Sequence, residues 1–166
     1  MRKAAKEDEA VAQTTLQNLT GSWRLIFTTG TAKTQQQRGR INYFPIKAVQ
    51  SFDTTASPMT IENGIYFGNW PALRFSGTMD FDLQKRRLEF DFDGLELLGL
   101  LNLQLGQGQA VSLGAKTGLG SESNVANAAK QKSAFFNWIS ADTNIATARG
   151  GGGGLALWKR VEPEDE

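Results

Sequence analysis

Five carboxylates crowd the middle of the chain: Asp80, Asp82, Glu89, Asp91 and Asp93. Carboxylates at such spacing can hold a hard cation or share acid–base work. Each group alternates with apolar residues, so all five project from one face of a strand pair. They lack the ligand order of an EF-hand loop. The pattern reads as a solvated strand face with Arg74, Arg86 or Arg87 nearby, and it also admits a docking face for a basic partner.

A second constellation lies near the C-terminus. Asp142 and Arg149 bracket a polar stretch that runs into five glycines, 150–154. No Gly-Lys-Ser/Thr follows, so this is not a P-loop. The glycines read as a flexible turn, or as backbone amides cradling an anionic head group. Asp142 and Arg149 read as an ion pair within one loop, or as contacts to the polar group of a lipid or isoprenoid. The same end of the chain carries Trp138 and Trp158, and Trp70 lies in a turn-like Gly-Asn-Trp-Pro; all three read as core or rim.

What is missing restricts function more than what is present. The 166 residues contain no His and no Cys. Disulfides, Cys-ligated metals and every His-dependent triad are therefore excluded. The side chain most used for proton transfer near neutral pH is absent as well. Carboxylate or Lys chemistry stays open, but the expectation is a protein without an enzymatic activity or cofactor. A net charge of +1, with Lys and Arg scattered, predicts no nucleic-acid partner. No apolar run approaches the ~20 residues needed to cross a bilayer. Residues 1–9 lack an apolar core and carry Glu7, Asp8 and Glu9, unlike a secretory or transit signal.

The elements that position these groups are mostly strands. Residues 3–18 favour helix, with a thin stripe at Val11, Thr15 and Leu19. In 19–29, Trp23, Leu25 and Phe27 alternate with Ser22, Arg24 and Thr28. Residues 30–40 are loop-like; a strand then starts at Ile41 or Ile46. Residues 59–67 read as one strand with a bulge at Asn63-Gly64, and 68–71 as a turn. Leu73, Phe75, Gly77, Met79, Phe81 and Leu83 face one way, and Leu88, Phe90 and Phe92 continue that face. Asp93-Gly94 signals a turn, after which 95–105 reads as a buried strand. Residues 106–133 are of low complexity and read as a long loop. Strands at 134–140 and 155–161 flank a loop at 141–153, and 162–166 is an acidic tail.

The count predicts an all-β antiparallel barrel of about eight strands with an N-terminal helix. Domain boundaries follow as a helix over 1–18, a barrel over 19–161 with 106–133 inserted, and the tail. An antiparallel last strand would bring Arg160 beside Trp23. Alternating loops would place 30–40, 68–71, 93–94 and 141–153 at the end away from Trp23. That end would collect Trp70, Asp142 and Arg149 around an apolar wall of Phe75, Phe81, Phe90, Phe92 and Trp138.

Several of these residues resemble a known family. Leu19, Gly21, Trp23, Leu25, Phe27, Thr28 and Thr29 are similar to the opening of plastid lipid-associated proteins, the fibrillins, with Phe27 in place of Tyr. Gln50, Phe52 and Asp53 resemble the family's Gln followed by an apolar-Asp pair. Asp142, Ile145, Arg149, Gly150, Gly154, Leu155 and Leu157 resemble its closing pattern. The loop 106–133 and the five glycines depart from it. The resemblance implies a lipocalin-like barrel in plastids, at thylakoids or plastoglobules. It implies a carrier or structural role toward carotenoids, quinones or other lipids, with peripheral membrane association. A scaffold role in a thylakoid protein complex, with a solidly packed barrel, is the other expectation.

Overall fold

The computed structural model describes residues 2–29, 39–40, 46–106 and 133–161. Among the described residues, helix α1 (Arg2–Leu19) precedes ten strands. They are β1 (Gly21–Thr28), β2 (Gly39–Arg40), β3 (Ile46–Asp53), β4 (Met59–Phe67) and β5 (Trp70–Asp82), then β6 (Arg87–Leu97), β7 (Leu101–Gln104), β8 (Ala134–Ala141), β9 (Ile145–Gly150) and β10 (Leu155–Arg160).

Antiparallel pairing runs β1-β3-β4-β5-β6-β8-β9-β10, and β10 returns to β1. Eight strands thus close a ring, which removes the unpaired edges an open sheet would expose. The ring is uneven because two strands share one edge of β6. β8 takes residues 87–90 of that edge, and β7 takes 94–97. β7 therefore hangs off the ring beside its wall.

Alternation puts one set of side chains inside. Trp23, Phe52, Ile61, Phe75, Met79, Phe81, Leu88, Phe90, Phe92, Leu95, Trp138 and Trp158 are buried in one cluster. On β5 and β6 the outward residues between them are polar, as a half-buried antiparallel strand requires, whereas β8 and β10 expose Ile139 and Leu155. β5 and β6 match the predicted alternation closely. Their register slips once, at Ser76/Gly77, where Asp93 is the extra residue. A Cβ on Gly77 would lie 1.9 Å from the Asp91 carbonyl oxygen, so only glycine lets the strands meet there.

Several sequence expectations need correction. Asp93-Gly94 is not a turn but this bulge, and β6 runs through it; cross-strand pairing with β5 outweighs the local turn signal. The turn comes later, at 98–100, so Leu95 and Leu97 belong to β6 and only 101–104 form β7. The presumed buried strand is largely exposed: Leu98, Leu100, Leu101 and Leu103 all face solvent. The region 141–153 contains β9, whose alternation of Ala146 and Ala148 with Thr147 and Arg149 is too weak in apolar bulk to stand out. Trp70 and Pro71 begin β5 and do not complete a turn. β4 is one strand with no hairpin at Asn63-Gly64; its register shift against β5 falls two residues on, at Ile65/Tyr66. On α1 the buried positions are Ala12, Thr15 and Leu19, with Leu16 packed against the core; Val11 is exposed. The loop 107–132, the start at Ile41 and the tail 162–166 lie outside the described residues.

Candidate functional site

The two ends of the ring differ. At one end α1 joins β1 directly, and Trp23 closes the interior with no exposed surface. Its Nε1–H donates to the Leu19 carbonyl at 2.7 Å, and the Arg160 guanidinium lies 4.1 Å over its ring. Arg160 further donates to the carbonyls of Thr143 (2.7 Å), Thr20 (2.8 Å) and Asn18. One planar cation thereby ties the helix end, the first strand and the β8–β9 turn together. This bears out the expected pairing of Arg160 with Trp23. The turns after β3 and β5 lie at this closed end too.

At the opposite end the inner face runs out uncovered. Residues directly opposite in antiparallel strands share a face. Ile46 has the parity of Gln50 and Phe52 on β3, Phe67 is opposite Ile46, and Trp70 is opposite Phe67. Leu101 is opposite Leu97, and Leu103 is opposite the buried Leu95. The lining that begins at the buried aromatics therefore continues to Ile46, Phe67, Trp70, Leu101 and Leu103, all of which are exposed.

Below this mouth the interior is filled by rings. Phe75, Phe92, Phe90, Phe136, Trp138 and Trp158 form a continuous chain of contacts, with centroids 5.2–6.0 Å apart. Phe52 meets Trp138 edge-on at 5.7 Å. Two polar atoms inside this apolar lining are orphaned. Among the described residues, Gln50 Oε1 and Trp138 Nε1 are buried without a hydrogen-bond partner. Each orphan costs on the order of 1–3 kcal/mol. One is an acceptor and one a donor, so a hydroxyl or carbonyl entering the interior would find a partner in either.

No family model matches the chain, and none of the curated proteins compared with it matches either. A solved structure, described as "NMR structure of the protein from Burkholderia xenovorans", has a TM-score of 0.45 and 11% identity. It covers 92% of this chain and 88% of that one.

The structure brings together some of the predicted site residues. Phe75, Phe81, Phe90, Phe92 and Trp138 share the interior, as alternation implied. Trp70 stands at the open end, 54% exposed. Arg149, at the end of β9, is at that end too, and donates to the Gly153 carbonyl at 3.3 Å. Asp142 is at the other end. Its carboxylate accepts the backbone N–H groups of Asn144 and Ile145, each at 2.7 Å, and caps the β8–β9 turn. Those hydrogen bonds, with Arg160 nearby, hold its pKa below the usual carboxylate value. The expected Asp142–Arg149 pair is thus undone by β9, which spans the ring between them. Sequence reasoning passed over Ile46, Phe67, Leu98, Leu100, Leu101 and Leu103. The available signal was Leu97-Leu98-Gly99-Leu100-Leu101, bulky apolar residues on both sides of a turn glycine.

The carboxylates of β5 and β6 stay on the outer face. Asp82 pairs with Lys85 at 2.7 Å, and Glu89 with Arg87 at 2.9 Å. Arg87 also stacks over Phe135 at 3.7 Å. Arg74 is on the same outer face nearer the open end, and forks onto Glu96, with Glu62 at 3.6 Å. The described residues contain no cluster of three or more acidic groups placed to hold a metal. Two open concavities of about 500 and 510 Å3 lie on this outer surface, one rimmed by Ser22, Ser51, Glu62 and Thr78, the other by Pro58, Asp80 and Glu89. Among the described residues no helix is long and apolar enough to cross a membrane.

Proposed function

We propose that this protein is a non-enzymatic binder of a lipophilic molecule with a polar end group, an isoprenoid, quinone, carotenoid or acyl lipid, which enters through the open end of the ring. The observation that carries the reading is the largely apolar inner face that runs from the aromatic interior, past Gln50 and Asn63, to the uncovered Ile46, Phe67 and Trp70, with Leu101 and Leu103 of β7 beside them. Sites for such ligands are mostly apolar, with a few placed polar groups. Gln50 Oε1 and Trp138 Nε1–H are those groups in this reading, and Arg149 serves a ligand whose head group is anionic. The resemblance to fibrillins supports a plastid setting, at the thylakoid or plastoglobule surface.

Equilibrium dialysis against a short-chain prenyl quinone tests it. Saturable binding is expected, weakened about fivefold in Trp138→Phe, which keeps the ring and removes the donor. Absence of saturable binding to folded protein, or identical affinity in the variant, would count against it.

The ring contacts below the mouth favour a second reading, a scaffold subunit in a thylakoid complex whose barrel is packed solid. Such a protein would co-migrate with a membrane complex and release nothing to organic solvent.

A further inference from the structure

We infer that the open end is also a membrane-docking surface, on which two neighbouring hairpin tips insert into the interfacial region of an anionic lipid layer. The first tip is Phe67-Gly68-Asn69-Trp70, and the second is Leu98-Gly99-Leu100-Leu101. They are held side by side, since the Leu98 N–H donates to the Ala72 carbonyl at 3.0 Å. Phe67 is 57% exposed, Leu100 80% and Leu101 61%. Apolar bulk concentrated at hairpin apexes is convex, and a deformable lipid interface accommodates it better than a rigid protein groove does. Trp70 adds an amphipathic ring of the kind that settles at headgroup depth.

Charge points to the same occupant. The described segments at this end, 25–29, 46–48, 65–72, 96–104 and 149–155, carry Lys47 and Arg149 against one carboxylate, Glu96, which Arg74 already neutralises. The carboxylates Asp53, Asp80, Asp82, Glu89 and Asp142 lie toward the closed end or along the wall below it. An anionic surface would attract one end and repel the other. Backbone strain adds a third observation. Leu98 adopts φ +56°, a left-handed conformation that branched side chains rarely take. A leucine that is both strained and 47% exposed is costly for folding alone. Contact with lipid gives it a use.

The inference rests on the lipophile reading, and its test separates the two. Three of the four tryptophans are 3% exposed or less, so Trp70 is the one that a lipid surface can reach. Titration of the full chain with phosphatidylcholine vesicles containing phosphatidylglycerol should blue-shift its emission, and brominated acyl chains should quench it. Phosphatidylcholine alone should bind more weakly. Leu100→Ser with Leu101→Ser should lower the partition coefficient about a hundredfold. Trp70→Ser, on the other hairpin, should also weaken sedimentation with vesicles, whereas Ile139→Ser, an exposed apolar residue toward the closed end, should not. In Leu100→Ser alone, which leaves the mouth residue Leu101 in place, vesicle partitioning should fall while quinone binding by dialysis persists; absence of quinone binding in wild type, with vesicle binding intact, would defeat the lipophile reading and leave this one standing. Vesicle binding that is absent, or unchanged in both tip variants, would overturn the inference. So would a wild-type dimer that the tip variants dissociate, since a second copy would then be the occupant.

Discussion

Replacing Trp23 with alanine should cost about 3–5 kcal/mol of folding stability. The magnitude follows from the surroundings. The indole is wholly buried, so the substitution removes its transfer free energy and leaves a cavity against Leu19 and the ring wall. The Nε1–H bond to Leu19 and the guanidinium stacked at 4.1 Å are lost with it. Arg160→Ala should cost less, about 2–3 kcal/mol, because the Thr143 carbonyl is exposed and those of Thr20 and Asn18 are only part-buried, so water can replace the guanidinium. The two residues touch, so the double variant should fall short of the sum by about 1 kcal/mol. Equilibrium urea unfolding followed by far-ultraviolet circular dichroism avoids relying on the fluorophore being removed. A loss below about 1 kcal/mol for Trp23→Ala would refute the clasp as a structural keystone, and strict additivity would refute the direct coupling.

Three further outcomes follow. Asp142 has a depressed folded-state pKa, so its contribution is present above the unfolded carboxylate value and is lost as pH falls through the folded one. Urea midpoints of wild type and Asp142→Ala should therefore differ near neutral pH and converge in acid; a gap that widens in acid would reverse the sign. Gly77→Ala should destabilise by well over the ordinary ~1 kcal/mol of a point change, because its Cβ meets the Asp91 carbonyl at 1.9 Å; a circular-dichroism melt that is unshifted would show that β6 gives way freely. Arg149→Ala should stay within about 0.5 kcal/mol of wild type, since Arg149 is exposed and, among the described residues, donates to the Gly153 carbonyl alone, yet dialysis against a long-chain fatty acid should show weaker binding. Equal affinity would leave Arg149 as a turn residue.

The fold was legible wherever alternation was strong. β1, β5, the first half of β6 and β8 could be read from large apolar residues at alternate positions, and β10 from its apolar run Leu155–Trp158; alternation also gave the inward direction of Phe75, Phe81, Phe90, Phe92 and Trp138. It failed where side chains are small or where a local signal competed. β9 buries Ala146 and Ala148, whose alternation with Thr147 is faint, so 141–153 reads as loop in sequence and Asp142 reads as a neighbour of Arg149, where the strand in fact holds the two at opposite ends. Asp93-Gly94 carries turn chemistry, but pairing with Ser76 and Gly77 turns it into a bulge. The open end was hidden for a different reason. Leu98, Leu100, Leu101 and Leu103 look like core in sequence, and nothing local shows that β7 hangs off β6 outside the ring. Gln50 could be placed on an inward face only once β3 was known to begin at Ile46.

The central claim is that the apolar lining takes up a lipophile through the open end. Solvent extraction of protein purified from its native source, followed by mass spectrometry, tests it most directly. The account predicts one class of lipophile bearing a hydroxyl, carbonyl or acidic end group, recovered at near-stoichiometric yield and lost when Leu101 and Leu103 are replaced by Asp. Folded protein that repeatedly yields no lipophile above the level of a barrel-free control would contradict it.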